Sequence, residues 1–158
     1  MLREHGMPRK YEHAMVGRNE RLDGIQGAVL SVKLKHLDAW NEKRRAHAKL
    51  YKSMLSTLDG VELFETHNDR THNYHLFVIR VKNRDDVQKQ LAAKGIATGI
   101  HYPIPIHLQP AYAERGWSPG DFPVSEKLSN EILSLPMFPE LTEAQIEEVC
   151  EAVRQAVA

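Results

Sequence analysis

The chain has a single cysteine, Cys150, among 158 residues. One thiol excludes an internal disulfide framework and fits a reducing compartment, so a cytoplasmic protein is expected. Cys150 falls on the apolar face of a helical pattern, where a thiol behaves as a small buried hydrophobe rather than a nucleophile. Net charge is missing too. Lysine plus arginine and aspartate plus glutamate balance at 21 each, which leaves no electrostatic footprint for nucleic acid or an anionic membrane. No uncharged run is long enough to span a bilayer, and Met1-Leu2-Arg3-Glu4-His5-Gly6 lacks the apolar core of a secretory leader. No glycine-rich loop leads from a strand into a helix, so a phosphate cradle of that kind is not expected. Nor do the nine histidines suggest a metal site. His72 and His75, three apart beside a strand, fall on opposite faces; His101 and His107 are parted by prolines, and no cysteine or carboxylate cluster joins them.

What is present is one domain's worth of chain, with an ordinary hydrophobic content of 42%. Residues 1–18 carry neither the helical nor the strand period and read as a connecting arm. From 19 to 58 the pattern is helical. Leu22, Ile25, Val29 and Val32, then Leu37 and Trp40, then Ala48, Tyr51, Leu55 and Leu58 keep three- and four-residue spacing. Asn19 is the expected N-cap, Asp59-Gly60 the stop, and the charged run from Asn41 to Arg45 a solvated stretch or a bend. One long linking helix is therefore expected. Residues 59–158 read as a small α/β domain. Strands are expected at 61–64, 74–81 and 96–101, with a helix over 84–94 between the last two, capped by Asn83 and ended by Gly95. Asp121 is expected to cap a helix over 122–132, and Leu133-Ser134-Leu135 to form a strand closed by Pro136. Thr142-Glu143-Ala144-Gln145 is a capping box opening a terminal helix lined by Ile146, Val149, Cys150, Val153 and Val157.

The most unusual stretch is 99–112, where a strand runs into Pro103, Pro105 and Pro110. Proline cannot donate to a ladder and holds its predecessor extended, so the strand must stop by Tyr102. His101, Tyr102, His107, Gln109 and Tyr112 then lie on a stiff strip. Such a strip is either a site or a proline-stiffened loop whose rings merely pack, and composition leaves both open. Gly17-Arg18-Asn19 ahead of a helix offers an anion site through the helix N-terminus and the Asn19 amide, or plain capping. Arg21 suits a phosphate or carboxylate, or pairing with Glu20 or Asp23.

Several segments together resemble the C-terminal part of the DegT/DnrJ/StrS family of pyridoxal-phosphate (PLP) dependent nucleotide-sugar aminotransferases. They are His5-Gly6, Gly17-Arg18-Asn19-Glu20-Arg21-Leu22-Asp23-Gly24-Ile25-Gln26, the stretches 33–45, 75–80 and 95–112, Gly120-Asp121-Phe122-Pro123-Val124-Ser125-Glu126, and 133–142. The wording of 99–112 is closest to sugar 3-aminotransferases acting on dTDP-linked keto sugars. The resemblance implies a fold-type I small C-terminal domain (α/β) after a linking helix, with 1–18 arriving from a large domain. It implies a homodimer that moves an amino group from glutamate or glutamine to a nucleotide-linked keto sugar. It also implies that Asn19 reaches the cofactor phosphate of the neighbouring subunit. His101 and Tyr102 then line the sugar side, with His107 and Gln109 following on the strip, and His101 is a candidate proton carrier. The family's Schiff-base lysine, in a Ser-aromatic-x-x-x-Lys setting, has no match here. The chain alone is thus not expected to transaminate or to hold PLP covalently. The other reading is a stand-alone, non-catalytic module that binds a nucleotide sugar or regulates a full-length enzyme. An apolar face left bare along residues 22–40 favours the first.

Overall fold

A computed structural model describes residues 3–158. The chain forms two compact units, one ending at Asp38 and one running from Ala39 to Ala158.

In the first unit the arm folds back on itself. Glu4 and Asn19 form an antiparallel bridge, with the His5 N–H donating to Arg18 O at 2.9 Å and the Glu20 N–H to Arg3 O at 3.1 Å. Two glycines let the backbones approach. A Cβ on Gly6, at φ +73°, would lie 1.8 Å from the Met15 carbonyl oxygen, and one on Gly17 would lie 2.1 Å from the Gly6 nitrogen. Asn19 is therefore an extended residue rather than the expected cap. The cap is Asp23, whose carboxylate accepts the Gln26 N–H at 2.8 Å while the Gln26 side chain accepts the Asp23 N–H. This capping box opens α1 (Gly24–Leu34). No residue of α1 is buried; Ile25 is 82% and Leu34 69% exposed.

The single helix expected over 19–58 is broken. The chain turns at Lys35–His36, where the His36 N–H bonds Lys33 O three residues back, and α2 (Leu37–Leu55) begins after it. The charged run 41–45 is continuous helix instead, with Glu42 and Arg45 paired one turn apart.

The second unit is built on an antiparallel sheet ordered β1 (Val61–Leu63), β2 (Phe77–Val81), β3 (Ile132–Leu135). Val61 stands opposite Val81, Leu63 opposite Ile79, Ile79 opposite Leu133 and Phe77 opposite Leu135. Alternation places Phe77, Ile79 and Val81 on one face, each buried. Onto that face pack Tyr51 and Leu55 of α2, Val87 and Leu91 of α3 (Arg84–Ala93), and Ile146, Val149 and Val153 of α5 (Glu143–Val157). Burial pushes the Cys150 thiol up to about 11, which suits a core residue. The opposite face carries Val78 and Arg80, both half-buried.

The strand expected over 96–101 reduces to one bridge, Gly99 with Ser134. Asn83 occupies the N-cap of α3 without a side-chain bond. In α4 (Pro123–Glu131) the cap position is Phe122; Asp121 instead accepts the Ser118 N–H within the preceding turn. The Thr142–Gln145 box forms as expected. Three α2 side chains meet the proline-flanked crossing after β3. Arg44 donates to Met137 O at 2.9 Å and Tyr51 to Pro136 O at 3.0 Å, while the His47 Nε2 lies 3.3 Å from Pro139 O.

Candidate functional site

The proline strip is not extended throughout. It bends through two 3-10 turns, Ile106–Leu108 and Pro110–Arg115, and Gly116 ends the second at φ +75°. At its start, His101 turns its ring against the sheet, with Nδ1 2.9 Å from the Ser134 hydroxyl. Tyr102 stands edge-on to that ring and is 72% exposed. His101 is exposed as well, so its remaining ring nitrogen is left to solvent or a ligand.

His107 and Gln109 face the other way. His107 is 8% exposed; its Nε2 lies 2.9 Å from the Glu126 carboxylate and its ring packs on Phe122. Glu126 also accepts the Gly120 N–H at 2.9 Å and the Phe122 N–H at 3.2 Å. The Gln109 amide donates to Ile104 O at 3.3 Å. These two residues shape the strip, while His101 and Tyr102 present themselves on it. Glu126 is singled out in the sequence only as the end of the segment 120–126 that carries the resemblance; its place one turn into a proline-initiated helix lets its carboxylate reach back to the open N–H groups. The Gly120 N–H, against the upward push of burial, and then His107 and the Phe122 N–H hold its carboxyl below the ordinary carboxylate value. The folded chain thus binds this proton more weakly than the unfolded chain does. The stability it supplies is full above the ordinary value and is lost as pH falls toward the folded one. Calorimetry from about pH 6 to about pH 3 should show a melting temperature that drops through this window, and a smaller drop in Glu126→Gln. Identical slopes would remove Glu126 from the account.

Asn19 lies in the first unit, where its amide oxygen accepts the Arg21 Nε–H at 3.1 Å. Arg21 thus bonds Asn19 rather than Glu20 or Asp23. Among the described residues no group of three or more His, Cys, Asp or Glu is placed to hold a metal, and no helix is long and apolar enough to cross a membrane.

A cleft of about 330 Å³ opens beside His101 at the start of β2. Val78, Phe64, Leu128 and Ile132 line it, and Lys52, Thr66, His72 and Tyr74 gather at one part. Tyr74 sits at φ +49°, a left-handed backbone rarely adopted by a residue with a side chain. The His72 Nδ1 accepts its N–H at 2.8 Å, which places the His72 proton on Nε2. Burial alone would raise the Tyr74 phenol, but the Thr66 hydroxyl at 3.2 Å and the Lys52 ammonium outweigh it and hold the phenol below its ordinary value.

The chain's fold defines a class, that of the C-terminal portion of PLP aminotransferases. It superposes on the Streptomyces venezuelae protein DesV, solved in complex with a ketimine intermediate, with a TM-score of 0.88 at 44% identity, covering 98% of this chain and 42% of that one. An aminotransferase of the same family from Brucella abortus gives 0.84 at 37% identity, covering 99% and 42%. Residues 1–154 match the DegT/DnrJ/EryC1/StrS aminotransferase family, and the chain belongs to that family. Its relatives include the erythromycin biosynthesis sensory transduction protein EryC1 of Saccharopolyspora erythraea, 48% identical over 94% of this chain and 41% of that protein. Another is the dTDP-3-amino-3,4,6-trideoxy-alpha-D-glucose transaminase of Streptomyces venezuelae, 44% identical over 98% of this chain and 41% of that one. The chain thus spans about two fifths of the length of these curated relatives.

The family implies PLP in the full enzyme. Among the described residues no lysine is buried. Every lysine but Lys52 is exposed, and Lys52 lies 5.5 Å from the Tyr74 ring centre.

Proposed function

We propose that this chain is the C-terminal portion of a cytoplasmic, homodimeric aminotransferase that places an amino group on a nucleotide-linked keto sugar. The cofactor supplies the electron sink for that transfer in the complete enzyme. The observation that carries the reading is the match to sugar transaminases along nearly the whole chain, with His101 and Tyr102 presented at the start of the strip. His101 is steadied by Ser134 through Nδ1, so Nε2 is the atom that meets a sugar hydroxyl and holds or passes a proton there. Tyr102 adds a flat apolar wall and a hydroxyl. His107 and Gln109 act behind them by fixing the strip, and Asn19 offers its amide to the cofactor phosphate of a neighbouring subunit. The relatives' names point to dTDP- or UDP-linked sugars aminated at C3. The bare apolar residues of α1 agree with a portion that meets a larger body rather than with a self-sufficient module.

The chain by itself, given PLP, glutamate and a dTDP-linked 3-keto sugar, is expected to show no transamination. Fused behind the N-terminal part of the Streptomyces venezuelae transaminase, it is expected to turn over. His101→Ala in that chimera should lower kcat/KM by about a hundredfold, a usual loss for a general acid–base group. Turnover by the lone chain would overturn the reading. So would tight sugar-nucleotide binding by a monodisperse lone chain coupled to a folded but inactive chimera.

A further inference from the structure

The cleft has His101 on its rim, but the rest of its lining is unused by the machinery assigned above and is built as a two-ended site. Its floor and walls are apolar, formed by Val78 from β2, Phe64 after β1, and Leu128 and Ile132 at the end of α4. Its other end collects polar groups from separate parts of the chain: the Lys52 ammonium of α2, the Tyr74 hydroxyl with the Thr66 hydroxyl bonded to it at 3.2 Å, and the His72 ring, whose Nδ1 accepts the Tyr74 N–H. Lys52 belongs to none of the ion pairs among the described residues and rests on the Tyr74 ring. The one carboxylate of the lining, Glu65, is on an exposed residue. The left-handed backbone at Tyr74 is bonded to His72, and the Tyr74 phenol meets Thr66 at 3.2 Å. A pocket of a few hundred Å³ with an apolar body and a few converging polar groups is the ordinary form of a small-molecule site.

We propose that this cleft binds a small aryl carboxylate, its ring lying against Phe64, Val78 and Leu128 and its carboxylate held by Lys52, Tyr74 and His72, with Thr66 bonded to the Tyr74 oxygen behind them. The apolar walls favour a flat ring over a sugar, whose hydroxyls would find no partners there. The three donors left by the Thr66–Tyr74 bond, one of them an ammonium, favour an anion over a neutral polar group, because a charge-assisted bond is about twice as strong as a neutral one. Neither end requires the sugar reading of the strip.

Three probes separate the two ends on the 158-residue chain: 2-naphthoate, 2-naphthalenemethanol and acetate, each titrated by amide NMR. Naphthoate is expected to shift Phe64, Thr66, Tyr74 and Val78 together, and to bind about tenfold or more tightly than the alcohol. Acetate alone should shift nothing at matched concentration. Lys52→Met, which keeps the apolar stem, should weaken naphthoate about tenfold and leave the alcohol unchanged. Leu128→Trp should fill the cleft and abolish both; a spectrum of unchanged dispersion certifies the fold, and Lys52→Met stands as the test if that variant fails to fold. Equal affinity for acid and alcohol overturns the proposal, as does an unchanged affinity in Lys52→Met. Shifts confined to other residues, or none at saturating naphthoate, overturn it too.

Discussion

Replacing Arg84 with methionine is expected to lower the unfolding free energy by about 3 kcal/mol, measured by urea denaturation. The Arg84 side chain is 7% exposed, and its guanidinium reaches the last turn of α4. Its Nη1 donates to Ser129 O at 3.1 Å and Ile132 O at 3.2 Å, and its Nε meets the Asp85 carboxylate at 2.5 Å. A helix end leaves carbonyls without intrahelical partners, and here one side chain from α3 answers two of them at the passage from α4 into β3. Methionine fills much of the space but leaves both oxygens unsatisfied. Arg84→Lys keeps the charge and loses the fork, so it should fall between the two. A loss under about 1 kcal/mol in the methionine variant would show that water reaches these carbonyls and that the guanidinium is dispensable.

Tyr51→Ala is expected to cost about 4 kcal/mol by the same measurement. Tyr51 is fully buried, stacks on Phe77 at 4.8 Å and bonds Pro136 O. Burial, and then Cys150, push its phenol well above the ordinary value, so the hydroxyl keeps its proton and stays a donor. Tyr51→Phe retains the ring and should cost about 1 kcal/mol, the net worth of one hydrogen bond plus the carbonyl left bare. The two variants divide the residue's contribution into packing and polar parts. Equal losses in both would mean that the hydrogen bond, not the ring, holds this part of the core together.

Local chemistry explains which parts of this fold were legible. The Thr142 box, the strand alternation of β2 and the stop at Gly95 are each decided by neighbours a few residues away, and the sequence carries them openly. The departures involve distant or competing partners. Asn19 looked like a cap because helical spacing begins just beyond it. Its extended backbone is set by pairing with Glu4, and Asp23 with Gln26 makes the better box. The 96–101 stretch has strand composition, yet Ser134 offers it only one bridged position before the prolines. The same limit applied at the site. Nothing near His107 in sequence says that Glu126 will meet it, and a buried, bonded imidazole reads identically to an exposed one in a string of letters. Lys52, Thr66 and Tyr74 converge from separate elements, so no spacing rule could have grouped them.

The crossing that follows β3 bears on how the unit keeps its shape. Pro136 and Pro139 have no N–H to offer, so this stretch cannot trade hydrogen bonds with a neighbouring strand as a ladder would. Instead Arg44, His47 and Tyr51, side chains of unequal reach from one helix, hold it at three carbonyls. A ladder sets position one residue at a time and can slip by whole steps. Three tethers of fixed and different length admit no such step, so the crossing works as a strut bolted to α2, its alignment written in side-chain lengths rather than in strand pairing.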